Sequence, residues 1–312
     1  MIDPFAHLIE ANGFVLVDGA MATELERLGA DLADPLWSAR VLLEQPSLIR
    51  QVHDAYFAAG ADVAITATYQ ATFEGLATRG LDRAAAATLM RQAVALATES
   101  RDAFWSQAAN RVQRQRPLVA ASVGPYGAFL ADGSEYRGEY LLDENELFAW
   151  HAPRFDVLAE SGADFIACET IPCGAEARAL LRLLDRHPGV HAWISFSARD
   201  DAHISNGERF ADLAAEVGAH PQVLAVGVNC TAPQHVAALV RAARAGTNAR
   251  IVVYPNSGER YLAAEKRWDD APTCVPFVDS AREWYAAGAR LIGGCCRTSP
   301  ADIQALSRAG FR

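Results

Sequence analysis

The chain has 312 residues, 51% of them hydrophobic and 21% charged, with a formal net charge of -10. That length supports one large α/β domain or two smaller ones, and the acidic balance argues against a nucleic-acid or anionic-lipid surface, which needs clustered lysine and arginine. Small-molecule partners are the expectation.

Residues 1–13 contain Asp3 and Glu10 and no sustained apolar core, and no apolar run elsewhere is long enough to span a bilayer. The sequence therefore predicts no secretory signal, no membrane segment and a cytoplasmic location. Six cysteines are too few to staple a chain of this length, and in that compartment they stay reduced.

Short apolar runs at 14–17, 62–65, 118–121, 165–167, 191–194, 223–226, 251–254 and 291–292 give eight strand candidates. Helical spacing fills the intervals, as in Leu48, Val52, Ala55, Tyr56 and Ala59 after Pro46-Ser47, or Leu89, Ala93, Leu96 and Ala97 after Asp82. Gly60, Gly162 and Gly288 each stand where a helix stops just before an apolar run, a place that suits glycine's left-handed freedom. Asp143 with Glu146 fits a capping box, and Ser299-Pro300 puts proline at the first helical position. Strands that are apolar throughout predict a parallel sheet covered by helices, and eight such units predict a closed (β/α)8 TIM barrel spanning residues 1–312 as a single domain. A doubly wound open sheet in two domains competes, but there is no Gly-x-Gly-x-x-Gly fingerprint and no Pro/Gly/Ser-rich linker.

A barrel carries its chemistry on the loops that follow the strands. There the sequence places Asp18-Gly19-Ala20, then Thr66, then Ser122 to Tyr126, Glu169-Thr170, Asn229-Cys230, Pro255-Asn256-Ser257-Gly258 and Gly293-Gly294-Cys295-Cys296. Adjacent cysteines are poor disulfide partners, yet two thiols released by glycines can turn onto one soft cation. Cys230 stands in an equivalent place after its own strand, so Cys230, Cys295 and Cys296 make an open three-thiolate zinc site. Cys168, Cys173 and Cys274 lack that context, and Cys168 reads as a buried apolar residue. The histidines show no metal-binding spacing.

These motifs resemble the zinc-dependent homocysteine S-methyltransferase family over nearly the whole chain. Asp18-Gly19-Ala20-Met21-Ala22-Thr23, Cys168-Glu169-Thr170-Ile171-Pro172, Gly227-Val228-Asn229-Cys230-Thr231 and Gly293-Gly294-Cys295-Cys296 stand in the family's order. Gly124-Pro125-Tyr126-Gly127 through Ala131-Asp132-Gly133-Ser134-Glu135-Tyr136-Arg137-Gly138, with Tyr254 to Glu259, look most like the branch using S-methylmethionine or S-adenosylmethionine. The resemblance implies a (β/α)8 barrel, one Zn²⁺ on Cys230, Cys295 and Cys296, and methionine as product.

Zinc suits that reading because three thiolates leave a fourth tetrahedral position for the acceptor sulfur, and a metal-bound thiol is deprotonated. The acceptor's ammonium needs an anion, and Glu169, with Asp18 second, is the expected partner. Thr66 and backbone amides near Ala20 are candidates for its carboxylate, and Asn229 either orients Cys230 or closes the strand-end turn. Trp37, Tyr69, Phe73 and Tyr126 are aromatic candidates for the sulfonium. Asp18 as a plain cap of the next helix, and Glu169 as the partner of a structural arginine, stay open.

A non-enzymatic zinc or thiol sensor and a betaine-using methyltransferase are the rivals. The betaine branch carries a long C-terminal arm used in oligomerisation; here 16 residues follow Cys296 (312 minus 296), which points to a monomer.

Overall fold

Every apolar run of the sequence becomes a strand of one parallel sheet in the computed structural model, which describes residues 3–32, 38–258 and 275–311 together with the backbone of 261–262 and 267–268. The strands are β1 (Val15–Leu16), β2 (Val63–Ile65), β3 (Leu118–Val123), β4 (Phe165–Ile171), β5 (Ala192–Phe196), β6 (Val223–Asn229), β7 (Arg250–Tyr254) and β8 (Ala289–Ile292). They lie in the order β1-β8-β7-β6-β5-β4-β3-β2. A parallel bridge between Val17 and Val63, with the Asp18 N–H donating to Val63 O at 3.0 Å, joins β1 to β2 and closes the (β/α)8 barrel.

The helix signals act where the sequence puts them. Gly60 and Gly288 end helices at φ +117° and +122°, conformations that a side chain strains against. Asp143 and Glu146 form the capping box of Glu144–Ala159, and Ser299 with Asp302 forms another at Pro300–Ala309. Among the described residues, no helix is long and apolar enough to cross a membrane.

Two apolar layers result. One lies between the sheet and its helices, with Leu16, Val119, Ala121, Val226, Val228 and Val253 facing outward. The other fills the lumen with the alternate residues, among them Val15, Val17, Leu118, Ala120, Phe165, Ala167, Trp193, Ala225 and Val252. A short N-terminal helix (Ala6–Asn12), which the spacing of the sequence did not announce, brings Leu8, with Phe5 just ahead of it, into the lumen core. Phe5 meets Phe165 edge-on at 5.2 Å and is fully buried, a burial that contributes about 1.5–3 kcal/mol.

Three strands run further than their apolar signals. β3 continues through Ser122, β4 through Glu169 and β6 through Asn229. The side-chain period of two carries these polar residues to the lumen side, above the apolar fill. The buried mouth of the barrel is therefore polar.

Candidate active site

Cys295 and Cys296 leave β8 on a turn that only glycines admit. A Cβ at Gly293 would lie 2.7 Å from Val17 Cβ, and one at Gly294 would lie 2.3 Å from Thr298 Oγ1. Backbone hydrogen bonds fix the turn: Gly294 N–H to Asp18 O (3.0 Å), Cys295 N–H to Pro255 O (2.8 Å) and Ser257 N–H to Cys296 O (3.2 Å). Thr298 ties it to the β1 loop, because its hydroxyl donates to Cys295 O at 2.6 Å and accepts the Ala20 N–H at 3.2 Å. The amide at Ala20 is thereby occupied.

Cys230 ends β6 in the left-handed region, at φ +46°, with its N–H on Tyr254 O at 3.2 Å. Such a conformation costs a non-glycine residue about 1–2 kcal/mol, so the surrounding packing imposes it. It turns the thiol to the other two. The three Sγ atoms lie within 4.8 Å of one another, Cys230 to Cys296 at 3.7 Å and Cys295 to Cys296 at 4.0 Å. Tetrahedral thiolates with metal–sulfur bonds of about 2.3 Å stand about 3.8 Å apart, so the cluster already has the edge lengths of a metal site. Among the described residues no other group of metal-capable side chains converges in this way.

Beside the thiols lie two buried carboxyls. Glu169 accepts from the Ser122 hydroxyl, while the nearby Tyr254 phenol donates to Ser195 at 2.6 Å, because Ser195 gives its own proton to Asn229 Oδ1. Burial pushes Glu169 up to about 7; the bond from Ser122 counters this and the Cys230 charge adds to the rise. Asp18 is raised well above the ordinary carboxylate range, chiefly by burial, against the Ile65 N–H that it accepts at 2.8 Å and with the charge of Glu169 adding to the rise. Among the described residues, no arginine is among the groups that shift either carboxyl. The helix Met21–Arg27 begins at Ala20 without a side-chain cap, so Asp18 has a different task from capping.

Thr66 and Asn229 are both at the mouth and both engaged with the protein. The Thr68 hydroxyl donates to Ser122 O (2.7 Å), so the proton in the 2.8 Å contact of Thr66 with Thr68 belongs to Thr66, which also accepts the Ser122 N–H (3.1 Å). The Thr66 hydroxyl holds Ser122 and has no second proton for a carboxylate. Asn229 accepts the Thr170 N–H (2.7 Å) and the Ser195 hydroxyl (2.8 Å) on Oδ1 and donates to Thr170 Oγ1 (2.7 Å).

The aromatic candidates separate. Tyr69 reaches the site: its phenol lies near enough to the Thr170 hydroxyl and to Cys230 for both to act on it. Phe73 lies under the Arg83 guanidinium at 4.4 Å, and Tyr126 packs edge-on against Trp150 at 5.1 Å and Tyr140 at 5.4 Å. Trp37 and Cys274 fall outside the described residues. Cys168 and Cys173 are buried thiols, as the sequence suggests for the former.

The sequence reading assigned no role to Tyr136, whose phenol lies near enough to Cys230 to act on its thiol. It sits in the turn Ser134–Tyr136 beside Glu135, which burial pushes up to about 7. The only sequence signal was the run Asp132-Gly133-Ser134-Glu135-Tyr136 itself. A buried network behind this region holds the strand exits. Glu176 Oε1 accepts the Tyr126 N–H (2.6 Å) and bonds His151 Nε2 (2.8 Å), while Arg154 donates to Gly124 O (2.5 Å), Tyr69 O (3.2 Å) and His151 Nδ1 (3.1 Å). With Nδ1 accepting, His151 is the neutral Nε2–H tautomer, and burial lowers its pKa accordingly.

The family profile described as homocysteine S-methyltransferase matches residues 15–310. A homocysteine S-methyltransferase of Bacillus subtilis, YbgG, is 53% identical over 98% of this chain and 97% of its own, and one of Escherichia coli is 49% identical over 97% of each. The crystal structure of the E. coli homocysteine methyltransferase MmuM in its metallated form superposes with a TM-score of 0.87 at 47% identity, covering 98% of this chain and 99% of that one. The chain belongs to the homocysteine S-methyltransferase family.

Proposed function

We propose that this protein transfers a methyl group from a sulfonium amino-acid donor, S-methylmethionine or S-adenosylmethionine, to the sulfur of homocysteine, giving methionine. The observation that carries the reading is the set of three thiols at metal-ligand spacing beside two buried carboxyls that no arginine among the described residues neutralises. Family membership and the metallated relative support it.

Zinc is the metal that fits an all-thiolate set with an open position, and on Cys230, Cys295 and Cys296 it would supply an acceptor thiol already deprotonated at neutral pH. Glu169 and Asp18 bind the acceptor's ammonium, which replaces the missing counter-charge between them. Ser122 fixes the Glu169 carboxylate, and Thr66 fixes Ser122. Asn229 acts on Thr170 and through it on Glu169 and Tyr69, as a positioning residue. Tyr69 and Tyr136 cover the thiols and exclude water. The acceptor sulfur forms the new carbon–sulfur bond in line as the donor's methyl–sulfur bond breaks, and that electron pair stays on the donor sulfur, which becomes a neutral thioether. We further propose that the enzyme works as a cytoplasmic monomer.

The test is methyl transfer from each sulfonium donor to homocysteine, before and after metal removal, with methionine detected directly. Methionine formed from at least one donor and lost with the metal is the expected result. Metal-loaded protein that forms none with either donor overturns the reading.

A further inference from the structure

Glu135 is placed with care by residues that do no chemistry. Its carbonyl accepts the Ser197 hydroxyl at 2.8 Å, the Gly138 N–H closes the turn on Ser134 O at 2.8 Å, and Gly127 leaves room where a Cβ would stand 2.4 Å from the Glu135 nitrogen. Its carboxylate Oε2 is nonetheless buried with no hydrogen-bond partner among the described residues. It lies close enough to Tyr69, Tyr136 and Cys230 for their charges to act on one another. Asp132 and Arg137 also act on it, but these two pair with each other at 3.5 Å on the surface.

A withdrawn, unpaired carboxylate oxygen costs stability unless something arrives to pair with it. On the proposed function, the acceptor's ammonium is matched by Glu169 and Asp18, which leaves the donor. Either donor brings two positive groups, a sulfonium and an α-ammonium. The sulfonium has no N–H to satisfy Oε2. Its charge also disappears during transfer, so a carboxylate against it would stabilise the reactant more than the transition state and slow the reaction. An ammonium has three N–H donors and keeps its charge throughout. We infer that Glu135 binds the α-ammonium of the methyl donor and so selects sulfonium compounds that are amino acids. The inference rests on the proposed function, and it assigns Glu135 to donor binding and to no bond-making step.

The test is calorimetric titration of metal-loaded wild type and Glu135→Gln with S-methylmethionine and with its desamino analogue, 4-(dimethylsulfonio)butanoate. Loss of one charged hydrogen bond predicts that Glu135→Gln weakens S-methylmethionine about tenfold or more while the analogue binds both proteins equally. Metal content and homocysteine saturation stay unchanged. Equal affinity of wild type for the two ligands, no measurable binding of S-methylmethionine, or a parallel loss of both in the variant overturns the assignment. Wild-type comparison alone decides it if the variant fails to fold. Methionine formation is scored separately, so failure of transfer with the binding pattern intact removes the reaction and leaves the subsite.

Discussion

Asn229 grips Thr170 at both ends of its amide, 2.7 Å from Oδ1 to the Thr170 nitrogen and 2.7 Å from Nδ2 to its hydroxyl, although β5 lies between their strands. Thr170 stands at φ +59°, an outlying conformation for a β-branched residue, and the pairing of β4 with β5 slips between Cys168 and Ile171. A bulge of this kind re-aims the side chains next to it. The residue beside it is Glu169.

Replacing Asn229 with alanine removes that grip and leaves buried partners unsatisfied, for an expected loss of about 2–3 kcal/mol in denaturant unfolding. Because Thr170 and Glu169 lose their setting, homocysteine saturation shifts to higher concentration while metal content holds. Unchanged acceptor saturation would show that the clamp serves stability alone.

Cys296→Ser substitutes a poor ligand in a three-thiolate set. Metal content by elemental analysis and methionine formation are expected to fall together to background. Turnover retained after verified metal loss would contradict the assignment of the thiols.

The pH dependence follows from Glu169, raised to about 7 by burial. Below that value the carboxyl is protonated and cannot pair with an ammonium, whereas above it the carboxylate is free to do so. Binding of norleucine, an acceptor analogue with no titrating sulfur, should therefore strengthen as pH rises through about 7 and level off beyond. Glu169→Gln should bind weakly and lose the part of the rise that Glu169 supplies, keeping only the pH dependence of Asp18. A wild-type affinity that falls over this range would remove Glu169 from the ammonium site.

Gly227 marks where the barrel tolerates no side chain, since a Cβ there would lie 1.7 Å from Val252 O on β7. Gly227→Ala is expected to cost more than about 3 kcal/mol or to prevent soluble expression. Gly189→Ala, with nothing within 4 Å of the added atom, should change stability by less than about 0.5 kcal/mol in the same chemical melts.

The strands, the helix stops and the three thiols were legible because each rests on local chemistry: an apolar run, a glycine before it, a cysteine after it. The polar lumen layer was harder to read. Strands apolar on both faces conceal the period of two, so Ser195 gave no signal and Tyr254 read as another strand residue. The roles of Thr66 and Asn229 depend on partners 56 and 59 positions away, which no local pattern announces. Glu135 and Tyr136 lie in a loop, where position is set by Ser197 and Gly127 rather than by the loop's own residues.

The bond from Ala20 to Thr298 joins positions 278 apart, and it anchors the turn that presents two of the three thiols. A nascent chain must therefore emerge past residue 298 before its sulfurs can meet. Partly synthesised copies would carry Cys230 without its two partner thiols, a weak lure for metal, so capture of the ion is deferred until the ring has shut.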